Sequence, residues 1–226
     1  MTTQCYKSQH ELLQERAAAV DLRAYHLHLD LSQVKESPTF GATSCIELTT
    51  TEPELFLDYL GESVEQVTVN GQAQDIDFDG SLIRLHGLPV GEELTIEISG
   101  TSRYSRTGQG LHRMHDQADD ATYLYSHLEP SDARRIFPCF EQPDLKAPFH
   151  VAMTAPKDWQ ILSNQPETER EEQGGQCHGS LCAHPAALDV PHLFCRGALS
   201  VSRTRLDLAG WRALRAAARL CPRLHV

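Results

Sequence analysis

From Val20 to Ser99 the apolar residues recur with a period of two, and turn-forming residues interrupt them at short intervals. Tyr25, Leu27, Leu29 and Leu31 fall on one side of an extended chain, with His26, His28 and Asp30 on the other. A helix, with its period of 3.6, would scatter these residues around its axis, whereas a half-solvated antiparallel strand sorts them into opposite faces. Further strands are expected at Thr39–Thr49, Glu54–Leu60, Val64–Val69, Leu82–His86 and Leu94–Ser99. Ser37-Pro38, Gly61, Asn70-Gly71, Asp79-Gly80 and Leu88-Pro89-Val90-Gly91 separate them, and Asn70-Gly71 is the clearest hairpin turn. Short strands joined by tight turns predict a mostly β chain, folded as an antiparallel β-sandwich or saddle-shaped sheet.

Ahead of the first strand, Ser8 and Glu11 have the spacing of a capping box, and Leu12, Leu13 and Ala17 to Ala19 continue a short N-terminal helix. His10-Glu11-Leu12-Leu13-Gln14 stops one residue short of a zinc-binding His-Glu-x-x-His helix, because Gln14 stands where the second imidazole would lie. His26 and His28 share a strand face, and His112 and His115 lie near Asp116, Asp119 and Asp120. Neither pair has a visible third ligand, so a solvated strand face and a loop of solvated charges account for them. Gly108-Gln109-Gly110 is too short for a nucleotide loop and reads as a turn. No Gly-x-Ser-x-Gly, phosphate loop or Cys-His nucleophile context occurs.

A net charge of −11 over 226 residues argues against nucleic acid or an anionic membrane as partner. No apolar run reaches about 18 residues, and the N-terminus lacks the apolar core of a signal peptide, which points to a soluble cytoplasmic protein. Seven cysteines, an odd number spread without a framework, suit a reducing compartment. The average conceals a break. Residues 1–176 hold 13 Lys+Arg against 29 Asp+Glu, a balance of −16, while 177–226 hold seven arginines against two aspartates, a balance of +5. This divides the chain into a β domain over 1–176 and an Arg/Ala-rich tail over 177–226, irregular or helical, with a helix expected at Trp211–Leu220.

The densest segment of the domain is Tyr123 to Phe149. Tyr123, Leu124 and Tyr125 favour a strand, Pro130 suits a first helical position, Asp132 with Arg134-Arg135 gives one or two helical turns, and Pro138 stops them. Glu129, Asp132, Arg134 and Arg135 crowd among residues expected to be buried, Ile136, Phe137 and Phe140, so an internal ion-pair clasp is one reading of these charges. Cys139 between Pro138 and Phe140 reads as a buried, inert thiol. Beyond it, strands are expected at His150–Thr154 and Gln160–Ser163, and a polar loop at 167–175.

The wording Tyr123-Leu-Tyr-Ser-His-Leu-Glu-Pro-x-Asp-Ala-x-Arg-x-Phe-Pro-Cys-Phe-x-Gln-Pro-Asp-Leu-Lys-Ala147 resembles the N-terminal domain of zinc aminopeptidases of the aminopeptidase N type, which include the leukotriene hydrolases. Tyr104-Ser-Arg-Thr-Gly-Gln-Gly-Leu-His-Arg113 resembles the family segment before it, closest to the bacterial branch. The resemblance implies a parent activity that removes N-terminal residues from peptides. Zinc would be held by a His-Glu-x-x-His helix and a distant Glu, none of which this sequence contains, so zinc would belong to a catalytic domain absent here and this chain alone would be inactive. No residue of this chain is then catalytic or a metal ligand. The family's acidic residue of the Gln-x-Glu position, which binds the substrate α-amine, corresponds to Glu129. The position that is often Gln is His127, which would donate to substrate or line the first side-chain pocket. A fixed carboxylate opposite an ammonium group sets the register an exopeptidase needs. The expected partner is therefore a peptide with a free N-terminus, bound by a monomer. The alternatives are a structural ion pair of Glu129 with Arg134 or Arg135, and a non-catalytic β-sandwich module that binds peptide N-termini.

Family members continue after the polar loop with a segment close to Phe-Ala-Pro-Thr-Pro-Pro-Leu-Ser-Thr-Tyr, which the tail lacks. Codons for Leu181 to Val190, shifted by one base, permit that wording, so the residues after about Gln176 read either as a frameshift product or as a divergent natural tail with its helix at Trp211–Leu220. Cys177, His178, Cys182 and His184 carry zinc-like chemistry at a spacing too short to wrap a metal.

Overall fold

The structure is a computed structural model that describes residues 9–163, 167–173, 175–181 and 193–196. Helix α1 (Gln9–Ala19) leads directly into β1 (Val20–Asp30). Then follow β2 (Thr39–Thr50), β3 (Leu55–Asp58), β4 (Ser63–Val69), β5 (Gln72–Ala73), β6 (Asp77–Phe78), β7 (Leu82–Leu85) and β8 (Glu93–Arg103). The hairpin strands β9 (Gly110–Asp116) and β10 (Ala121–His127) precede a 3-10 turn at Ala133–Arg135. The described chain closes with β11 (Phe149–Pro156), β12 (Gln160–Ser163), β13 (Glu167–Gln173), β14 (Gln176–Leu181) and β15 (Leu193–Arg196).

These strands form an eight-stranded sheet in the order β13-β14-β11-β1-β2-β8-β4-β5, a four-stranded sheet β12-β15-β10-β9 and a three-stranded sheet β3-β7-β6. The fold is mostly β, as the period-two pattern demands. On β1, Tyr25, Leu27 and Leu29 are buried and His26, His28 and Asp30 exposed. Register carries this sorting across the sheet. Tyr25 lies beside Ile46, Ile46 beside Ile96 and Ile96 beside Val69, so one row of buried side chains crosses four strands. Leu55 and Leu57 of β3 and Ile83 and Leu85 of β7 bring the small sheet into the same core. The Asn70-Gly71 turn joins β4 to β5, and both residues have positive φ (50° and 75°), the geometry that its hairpin requires.

Four expectations need correction. The polar segment at 167–175 contains strand β13, paired with β14 from Glu167↔Leu181 to Gln173↔Gln176. An edge strand needs backbone partners rather than apolar side chains, and its charges suit an edge. Arg170 fixes it by donating to Lys157 O (3.2 Å) and Trp159 O (2.8 Å). The charged stretch around His112 and His115 is likewise a strand, β9, because the hairpin with β10 supplies its hydrogen bonds. The helix expected from Pro130 shrinks to the single 3-10 turn at Ala133–Arg135. Lastly, β1 pairs with β11 in parallel, from Tyr25↔Phe149 to Asp30↔Thr154. The edge that the meander leaves on β1 is filled by a strand far along the chain.

The tail boundary expected after Gln176 falls at the first residue of β14, whose partners in β11 run from Pro156↔Gln176 to Ala152↔Ser180. Ser8, Cys182, His184 and the helix expected at Trp211–Leu220 lie outside the described residues.

Candidate functional site

The segment that follows β10 is wedged between the sheets. Asp58 and Cys139 exchange backbone hydrogen bonds (2.8 and 3.1 Å), and Leu60 N donates to Arg134 O at 2.7 Å. From the large sheet, the Tyr25 hydroxyl accepts from Phe140 N (2.9 Å) and the Ser102 hydroxyl donates to Ile136 O (2.8 Å). Ile136 and Phe137 are fully buried. Side chains of this size supply enough buried area to hold an irregular segment in one conformation.

This anchoring presents the turn before it to solvent. His127 is the last residue of β10, paired with Gly110 and exposed. Leu128 turns inward at 3% exposure, and Glu129 is exposed again, so the alternation of the strand continues into the turn. Asp132 N donates to Leu128 O at 2.8 Å to close it, and the Glu129-Pro130 bond is cis.

The expected ion-pair clasp uses other partners. Arg135 Nε donates to the buried Asp132 carboxylate at 2.6 Å. Arg134 directs its Nε to Ser131 O (3.0 Å), and its backbone N–H donates to Glu141 Oε2 (2.7 Å). Among the described residues Glu129 forms no ion pair with either arginine. Burial pushes the Glu141 carboxyl up from its ordinary range, while the Arg134 backbone N–H pulls it down. The Cys139 thiol is pushed well above its usual range, first by burial and then by Glu141 and Asp58. This is the inert thiol expected from the sequence, since only the thiolate is nucleophilic.

The other candidates separate. His10 is exposed on α1. His112 Nδ1 accepts from Gly108 N at 3.0 Å, which shapes the loop before β9, and its ring lies 4.7 Å from that of Tyr125. His115 pairs with Asp120 at 3.2 Å. Cys177 is buried and His178 exposed, on opposite faces of β14. No group of three or more His, Cys, Asp or Glu among the described residues is arranged to hold a metal ion, so the described residues do not fit a zinc site. Among the described residues, no helix is long and apolar enough to cross a membrane.

Sequence pairing missed one arrangement. The outward histidines of β1 meet those of β11 and β14. The His26 and His150 rings stack at 4.6 Å, and Thr154 Oγ1 bridges His28 Nε2 (3.0 Å) and His178 Nδ1 (2.9 Å). The parallel pairing that creates these contacts leaves no local signal.

Residues 23–179 match the family described as the Peptidase M1 N-terminal domain. An aminopeptidase N of Streptomyces lividans is 37% identical over 166 residues, covering 72% of this chain and 19% of that protein. A leucyl aminopeptidase of Saccharolobus solfataricus is 24% identical over 157 residues, 70% of this chain and 19% of that one. The chain thus spans about a fifth of the length of these relatives. The crystal structure of an M1 zinc metallopeptidase E323A mutant from Deinococcus radiodurans has the same fold, with a TM-score of 0.65 and 21% identity over 79% of this chain and 42% of that one. With a family match over more than half its length, and the sheets and signature turn that carry it, this chain belongs to the Peptidase M1 N-terminal domain family.

Proposed function

We propose that this chain forms one wall of an aminopeptidase substrate site, on which the Glu129 carboxylate receives the α-ammonium group of a peptide. The observation that carries this reading is the state of Glu129: exposed at the end of β10, on a turn anchored by buried Leu128, with both neighbouring arginines engaged elsewhere. A carboxylate carried on a turn held in this way meets an ammonium group without first giving up an internal partner. His127, exposed one strand step earlier, lines the pocket for the first side chain. Zinc and the hydrolytic step are assigned, on the family resemblance, to a separate catalytic domain, in keeping with the chain's span of about a fifth of its relatives' length. The free thiols of Cys139 and Cys177 support a reducing, cytoplasmic setting.

Calorimetric titration with a tripeptide tests the anchor. The free-amine peptide binds, and its N-acetylated form binds at least about tenfold more weakly, the scale of one charge-assisted hydrogen bond. Glu129→Gln brings the two forms together, while His127→Ala alters the ranking of peptides by first side chain. Equal binding of both forms by the unsubstituted chain would overturn the reading. Hydrolysis of an aminoacyl anilide by this chain with added zinc would overturn the assignment of catalysis elsewhere.

A further inference from the structure

Residues 1–176 carry a charge balance of −16, so an acidic surface is the expectation everywhere. One open cleft of about 740 Å³ breaks it, with Arg103, Arg106, Arg113 and Arg135 on its walls against a single carboxylate, Glu62. Arg103 lies on that carboxylate, and the pair cancels. The other three do not cancel alike. Arg113 Nη1 donates to Val34 O (2.6 Å) and Ser37 O (2.5 Å), and its guanidinium lies 4.8 Å over the Tyr104 ring. Those acceptors are neutral, so they fix the group and leave its charge uncompensated. Arg106 makes no hydrogen bond or ion pair among the described residues. Arg135 is neutralised by Asp132 through Nε, yet its two terminal nitrogens donate to nothing else among those residues.

On their far side Arg106 and Arg113 border a second hollow that contains Asp119 and Asp120. Asp119 accepts from the neutral Tyr123 hydroxyl and Ala121 N (3.1 Å) and so keeps its charge, and Asp120 is offset only by a protonated His115, but neither carboxylate lines the cleft itself. A held guanidinium, a free one and a half-committed one thus face the same space, which has the size of a small-ligand site.

We propose that this cleft binds a small oxyanion of at least two negative charges, carboxylate or phosphate, between Arg106, Arg113 and Arg135. Planar guanidinium forks match either oxyanion in bidentate geometry. The positive potential stays local because the surrounding acidic surface repels anions elsewhere. The site does not depend on the amine anchor, since neither His127 nor Glu129 lines the cleft.

Titration of the chain with pyrophosphate and, separately, with citrate tests the proposal at about 20 mM and about 150 mM salt, where screening differs severalfold. Saturable binding at one site, weakened by salt, is expected for at least one of the two anions. Binding of pyrophosphate alone assigns the site to phosphates, and binding of citrate alone assigns it to polycarboxylates. Arg106→Gln, at an exposed side chain that supports nothing in the fold, weakens binding about tenfold, the scale of one charge-assisted contact. Arg84→Gln, at an exposed arginine held by Asp79 outside the cleft, leaves it unchanged. Absence of saturable binding by both anions, or equal effects of the two substitutions, would overturn the site.

Discussion

Arg16 shows how much a single residue can commit this fold. Its guanidinium is 1% exposed, donating to Asp58 (2.8 Å), Gln142 (2.9 Å) and Phe56 O (3.2 Å), and it lies 4.3 Å over the Phe56 ring. It pins helix α1 to the strand end and to the signature segment together, because Gln142 also donates to Leu13 O. Removing one member of a buried pair strands the other charge. Asp58→Ala therefore costs about 3 kcal/mol in urea unfolding. Arg16→Met costs less, about 1 to 2 kcal/mol, because Asp58 is 13% exposed and keeps the Glu141 N–H. Equal losses would show that the Arg16 charge is not the stranded one. At the same scale, burial predicts that Cys139 resists maleimide in the native chain and reacts at the unfolded rate in urea, read in a variant whose other cysteines are serine. Native labelling at the unfolded rate would contradict the packing around it.

At the scale of elements, the seam between β1, β11 and β14 is a line of imidazoles. His28 sits below its ordinary value of about 6.5, first because neighbouring strands exclude water and then because of His178, with Asp30 opposing. His150 is lowered in the same way, by lost water and by stacked His26, with Glu47 opposing. As pH falls through about 6.5, the unfolded chain takes up these protons before the folded one does. Their contribution to stability is thus complete above that pH and declines below it. The half-buried carboxyls Glu141 and Glu167, held above their ordinary range, act with the opposite sign and stay in place when the histidines are removed. The stability difference between pH 7 and pH 5 should therefore shrink in His28→Gln/His150→Gln, measured by urea unfolding at each pH. An unchanged difference would remove the seam from the account of acid sensitivity.

The same seam decides what truncation does. A chain ending at Gln176 loses the partners of Ala152 to Ala155 and the buried Cys177 side chain, turning β11 into an edge. With each net backbone hydrogen bond worth about 1 kcal/mol, hydrogen exchange of the β11 amides should quicken at least about tenfold. Unchanged protection would mean that β14 adds nothing to the sheet.

For the whole molecule, the local pattern was highly legible in sequence. Alternation at Tyr25–Leu31, the Asn70-Gly71 turn and the Tyr123–Ala147 wording announced the strands, a hairpin and the family, because each is a property of neighbouring residues and their φ and ψ preferences. His127 and Glu129 were named through the family resemblance that the surrounding wording carries, and both are exposed in the structure. Strand β13 was hidden, because an edge strand is held by backbone bonds that no side-chain pattern reports. The parallel union of β1 with β11 and the histidine seam across it were hidden as well. So was the cleft of Arg103, Arg106, Arg113 and Arg135, whose members lie on separate parts of the chain. The chain by itself determined which residues face inward, where it turns and which family it joins. Only the tertiary structure decided which distant strands meet and where like charges gather, because hydrogen-bond partners and electrostatic potential depend on distance in space rather than on separation along the chain.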